Sequence, residues 1–162
     1  MFDIITSHDF LAKLEADYDD FKEQPDSARH ALNCIITAYH LHEWVWGDWL
    51  KADHATWRNL SIRDHDSFKE WLDANWPGFS VTQSLANGAK HFIRQAPVGT
   101  ERVAGYGCGP YGVGPYGQPY LLIDYGATAA NRWQTAEQLI DDAVTFWRDF
   151  FKTHQQISLP IA

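Results

Sequence analysis

Met1 is the chain's one methionine, and Cys34 and Cys108 are its only cysteines. The two thiols lie far apart and form neither a zinc motif nor a redox motif. Cys34 sits mid-helix among apolar residues and reads as a small buried hydrophobe. Basic residues are also scarce. Thirteen Lys and Arg against 21 Asp and Glu leave a formal net charge of −8. That excludes a broad phosphate-tracking surface, because nonspecific nucleic-acid affinity comes from massed Lys and Arg. It leaves room for a small local RNA site and suits a basic protein as partner; a homodimer is the other partner expected. No stretch approaches the ~18 apolar residues of a membrane span, so no membrane contact is expected. The opening Met-Phe-Asp-Ile-Ile has no basic segment followed by a long apolar one, and a cytoplasmic address is expected. No Gly-x-Ser-x-Gly elbow is present. Cys108 lies in a glycine-rich stretch with no predicted base nearby, a poor place to hold a nucleophile.

Aromatic residues are abundant: 8 Trp, 7 Tyr and 9 Phe. Rigid rings will therefore dominate the packing. With 45% hydrophobic and 21% charged residues over 162 positions, a single domain spanning residues 1–162 is expected. Residues 26–50 read as a central helix, apolar nearly all round. At roughly 100° per residue, Arg29, Asn33, Thr37, His40 and Trp44 form its one polar stripe, within about 80° of arc. Ala28, Ala31, Leu32, Ile35, Tyr39, Trp46 and Leu50 fill the far side. A helix over 7–23, capped by Thr6 or Ser7, precedes it. The short Gln24-Pro25-Asp26 break makes the two antiparallel neighbours. Ser67-x-x-Glu70 and Ser80-x-x-Gln83 read as capping boxes of two further helices. Residues 51–63 give no clear pattern. Tyr120-Leu-Leu-Ile-Asp-Tyr125 reads as a strand. Thr135-x-x-Gln138 caps a closing helix with the clearest periodicity in the chain: Ala136, Leu139, Ile140, Ala143, Val144, Trp147, Phe150 and Phe151. Its aromatic stripe is expected to dock on Ile35, Tyr39 and Trp46. The tail 157–162 reads as irregular. The fold class is mainly α: an antiparallel helical bundle with a small β-hairpin or meander inserted before the last helix.

Residues 99–118 differ from the rest. Seven glycines fall there, with a repeat in which Tyr106, Tyr111 and Tyr116 recur every five residues. Two segments match Gly-x-Gly-x-x-Gly literally, yet neither opens a helix, so the dinucleotide reading fails. A mobile hairpin loop with surface tyrosines is the plain reading. A contact surface in which tyrosines supply binding area at low entropy cost is the alternative.

Arg29, Asn33 and His40, with Asn87, Lys90 and His91 of a later helix, make a candidate ligand-binding polar cluster. Asn87 and His91 share a helix face. Such a cluster holds an anion, performs acid–base work, or is a satisfied structural network. The spacing does not choose among these. If the cluster is one site, Asn33 must reach Asn87 or His91. His40 and His42 point about 160° apart on a helix and cannot chelate one ion together. No metal or other cofactor is expected, and no residue is assigned a catalytic role.

Ser27-Ala-Arg-His-Ala-Leu-Asn-Cys, Tyr39-His-Leu-His-Glu-Trp44, Ser84-Leu-Ala-Asn-Gly-Ala-Lys-His-Phe92 and Phe146-Trp147-Arg148 together resemble a family of uncharacterised bacterial helical proteins. The Tyr-Gly-Pro stretch looks like an insertion. More distantly, the helical core is similar to the HEPN superfamily of four-helix bundles, found in toxin–antitoxin and phage-defence systems. That resemblance implies a non-enzymatic interaction or regulatory role in such a system. Alternatively it implies a metal-independent ribonuclease that uses an Arg followed by a polar residue and, a few positions on, a His. Arg58-Asn59…His65 and Arg148-Asp149…His154 fit that motif loosely. On one straight helix, the first pair would nearly share a face.

Overall fold

The computed structural model describes residues 3–91, 98–105 and 107–154, with only the backbone described at Lys90 and His91. The expectations for Phe92, Tyr106 and residues 157–162 lie outside the described residues. Among those described, the helices are α1 (Ser7–Glu23), α2 (Ala28–Asp48), α3 (His54–Leu60), α4 (His65–Asn75), α5 (Phe79–His91) and α6 (Ala136–His154). Between α5 and α6, strands β1 (Gly99–Val103), β2 (Tyr120–Asp124) and β3 (Trp133–Thr135) form an antiparallel meander in that order. The fold is mainly helical with a small sheet before the last helix, as the sequence predicts.

Local chemistry sets the helix ends. Thr6 and Asp9 form a reciprocal capping box at α1, and Thr135 and Gln138 form another at α6, at 3.1 and 3.2 Å. Ser27 caps α2. Two expected boxes are displaced. At α4 the cap is Asp64, and Ser67 is the third helical residue that answers it. Aspartate caps as well as serine does, so the helix starts one turn earlier. At α5, Ser80 already lies inside the helix, and the Gly78 carbonyl accepts from both the backbone and the hydroxyl of Thr82. The segment without a clear pattern holds a 3₁₀ turn at Leu50–Ala52 and the short α3, capped by Asp53. Ser61, at φ 58°, ends α3 in the left-handed region.

Side-chain pairs fix the helix directions. Ser7 meets Asp48 at 2.7 Å, Asp17 meets Thr37 at 2.7 Å, and the Asp20 carbonyl meets His30 at 2.9 Å. Rising positions on α1 pair with falling ones on α2, so the two run antiparallel. Glu15–Arg148, Tyr18–Asp141 and Lys22–Glu137 show the same relation between α1 and α6. All eight stripe residues of α6 are buried. Their docking surface differs from the expected one. The Trp147 indole donates to the Ala38 carbonyl at 2.9 Å, reaching bare backbone because alanine leaves it uncovered. Tyr39 turns instead to α5, where Gln83 donates to its hydroxyl at 3.1 Å. Trp46 stacks on Trp57 and His65 of α3 and α4. Tyr39 and Trp46 thus serve α5, α3 and α4, while the Trp147 indole of the closing helix meets α2 at Ala38.

Candidate functional site

The polar stripe of α2 lies along the α1 seam and the solvent edge beside it. Thr37, 1% exposed, accepts from Lys13 at 2.7 Å and donates to Asp17 at 2.7 Å. Trp44 stacks on Phe10 with ring centres 4.7 Å apart. Arg29 is exposed and its guanidinium donates to the neighbouring His30, whose other ring nitrogen donates to the Asp20 carbonyl. His40 pairs with Glu43 of its own helix at 3.1 Å. Asn33 and Asn87 are both exposed. The side of α2 that meets α5 carries Ala28, Ala31, Leu32 and Ile35, about 100–160° from Asn33 in the helical projection. Among the described residues, no hydrogen bond or ion pair joins Arg29, Asn33, His40 and Asn87 to one another. The stripe's width is divided between the α1 seam and solvent. The Lys90 and His91 side chains lie outside the described residues.

The Arg/His pairs do not form sites either. Ser61 breaks the chain between α3 and α4, so Arg58 and His65 do not share a straight helix. Arg58 is exposed, while His65 stacks between Trp46 and His42. On α6, Arg148 donates to Glu15 at 2.7 Å, and His154 packs on Phe150 and Trp71. These contacts lie on different faces of the helix, in different packing environments.

Desolvation sets three titratable groups, the buried Cys34 and His42 and the half-buried His65. Burial pushes the Cys34 thiol up to about 12, which makes it inert as a nucleophile at neutral pH. It pushes His42 down to about 4. His65 is lowered for the same reason. Among the described residues, no three His, Cys, Asp or Glu side chains gather in a way that would hold a metal ion. No described helix is long and apolar enough to cross a membrane.

The hairpin between β1 and β2 is the part of the surface that stands out. Tyr111 and Tyr116 are 106% and 86% exposed. They are not on a featureless loop. Tyr120, at the start of β2, is buried beneath it, and its hydroxyl donates to the Val113 carbonyl at 2.8 Å. Gly109 and Gly114 lie directly against that ring. A Cβ on Gly109 would collide with the Tyr120 hydroxyl, and one on Gly114, at φ +77°, would lie 2.6 Å from the ring. Val103, Tyr120 and Leu122, with Val113 and Trp133 against them, make a second small apolar cluster apart from the bundle core. The glycines let backbone fold onto one aromatic ring. The Tyr-Gly-Pro repeat signalled exposed tyrosines. It gave no sign that Tyr120 would serve as their anchor.

Two clefts flank the sheet. One, of about 870 Å³, lies between α2, α5 and β1–β2. Small residues such as Ala28, Gly88 and Ala89 leave it unfilled. Arg102 at its edge pairs with Asp26 and holds that carboxyl below its ordinary range. The second, of about 690 Å³, lies beside the tyrosine hairpin and includes Val113, Tyr125, Arg132, Trp133 and Asp142. Compared with family models, curated proteins and solved structures, the chain matches none.

Proposed function

We propose that this chain is a non-enzymatic interaction protein whose recognition element is the tyrosine hairpin. One observation carries the reading: Tyr111 and Tyr116 stand exposed on a hairpin whose base is held against the buried Tyr120. Exposed tyrosine gives large contact area with few rotamers to freeze, and an anchored base lowers the ordering cost of binding. A net charge of −8 makes a basic protein surface the favoured counterpart. A regulatory place in a bacterial defence or toxin–antitoxin system is compatible with this role and rests on the resemblance alone.

The test is affinity purification of the wild type and of Y111S/Y116S from native cells, with melting curves of both. The expected outcome is a stoichiometric partner lost with the double variant at an unchanged melting temperature. A partner retained by the variant contradicts the reading. So does RNA cleavage that survives EDTA and is abolished by R58A or R148A, the signature of the ribonuclease alternative. The Glu15 contact of Arg148 speaks against that alternative.

A further inference from the structure

The outer edge of the sheet faces the larger cleft. Strand order places β1 at that edge, with β2 along its inner side. The register fixes which backbone groups the outer side presents. Just past β2, Tyr125 donates its N–H to the Arg132 carbonyl at 2.8 Å, towards β3. Successive residues of an antiparallel strand bond to alternate sides. The N–H and C=O groups of Tyr120, Leu122 and Asp124 therefore point to β1, where they meet Val103, Glu101 and Gly99. Thr100 and Arg102 direct theirs away from β2. Both residues are exposed, and among the described residues no strand takes these groups up.

Side chains alternate in the same way. Directly opposite residues share a face, so Thr100 lies with Ile123 and Arg102 with Leu121, on the side of the bundle core. There Arg102 reaches Asp26 and ties the strand to the start of α2. Between this edge and the helices lies the cleft of about 870 Å³, with Ala31, Leu32 and Ile35 of α2 and Leu85, Gly88 and Ala89 of α5 as its far walls. A Cβ on Gly88 meets no described atom within 4 Å, so the α5 wall opens onto unfilled space. Glu101 and Val103 point to the other face. Val103 is taken by the hairpin cluster. Glu101 is exposed and forms no ion pair among the described residues.

An edge strand with unpaired backbone groups beside an apolar trough is a template for one more strand. We propose that an extended segment of a partner protein adds antiparallel to β1, with apolar, basic and apolar side chains opposite Arg102, Glu101 and Thr100. The two apolar positions exchange hydrogen bonds with Arg102 and Thr100 and project into the cleft. The basic one meets Glu101 on the outer face, an opposite-charge cross-strand pair. A chain of net charge −8 suits such a partner. A second copy of the chain does not fit. Paired about Glu101, its own β1 sets two carboxylates against each other and offers Thr100 and Arg102 to the apolar walls. The edge is also only five residues long, against the roughly 20–30 residues a side of a stable interface. This surface is separate from the exposed tyrosines and does not rest on the function proposed above.

The test is NMR titration of the isotope-labelled full chain with acetyl-Ser-Val-Lys-Val-Ser amide, followed at the backbone amides of Thr100 and Arg102. Saturable shifts are expected with millimolar peptide. Methylating both valine nitrogens removes the donors and should abolish the shifts. Replacing the peptide's lysine by glutamate should weaken binding by about two- to fivefold, and E101K should restore it. G88L fills the cleft wall and removes a glycine from inside a helix. It should fold with an unchanged or higher melting temperature and lose binding. Y111S/Y116S should bind the peptide as wild type does, so failure of the hairpin reading and failure of this one are told apart. The proposal is overturned if the peptide gives no saturable shift, if the methylated or the glutamate peptide binds wild type equally, or if folded G88L binds as wild type does. A dimer in sedimentation that G88L abolishes also overturns it, by seating a second copy on this edge.

Discussion

His42 has almost no water around it: 1% exposed, its ring N–H donates to the Tyr39 carbonyl at 2.5 Å and its face stacks on His65. It stays neutral in the fold down to about pH 4, against an ordinary value of 6.5. The unfolded chain therefore binds the extra proton first. The stability due to the neutral ring is complete above about pH 6.5 and is lost progressively as pH falls from there towards 4, by about 3 kcal/mol in all. Urea unfolding followed against pH should show this slope, and H42F should flatten it between those limits. At Gly114 the expectation is equally specific. G114A must place a methyl against Tyr120 at positive φ and should cost about 2 kcal/mol or more, whereas G112A, at φ +79° with open space around it, should cost only about 1. The residue scale is also where the sequence was least legible. The stripe of Arg29, Asn33 and His40 was visible in helical projection. That α1 would occupy one margin of it and solvent the rest depends on the docking angle of a second helix, which periodicity does not encode.

Helices were read well where a cap and a wide apolar stripe coincided. On α6 the Thr135–Gln138 box and all eight core positions were legible, because burial on one face leaves a direct 3.6-residue trace. Its partner surface was not legible. Large side chains on α2 looked like the natural seat, yet Ala38 supplies the contact to Trp147. Trp147→Ala removes a fully buried ring and its hydrogen bond, and should destabilise by about 3–5 kcal/mol in denaturant unfolding. Strands β1 and β3 left little signal. β1 is exposed at four of five positions and β3 is three residues long. The hairpin was legible as an insertion and not as a packed one. Replacing residues 105–117 with a tight turn uncovers Tyr120, and should cost about 1.5–3 kcal/mol, the worth of burying one such ring. An unchanged melting curve would show that the hairpin rests on Tyr120 without stabilising it.

For the molecule as a whole, α1, α2 and α6 form the frame, with the short helices clasping Trp46 on one side and the sheet carrying its hairpin on the other. Rigidity and recognition are thereby separated: the aromatic core holds the frame, and the exposed tyrosines sit on a small independent cluster. An acidic protein of this kind should bind a basic partner with marked salt sensitivity, since rim charges act mainly through encounter. The most direct measurement is photocrosslinking in native cells with benzoylphenylalanine placed at position 111, and at exposed Glu70 on α4 as the comparison. A hairpin that recognises a protein gives one discrete crosslinked species from position 111, weakened by salt in extracts, and none from position 70. Equal crosslinking from both positions, or none from 111, would contradict the assignment of the hairpin as the recognition element.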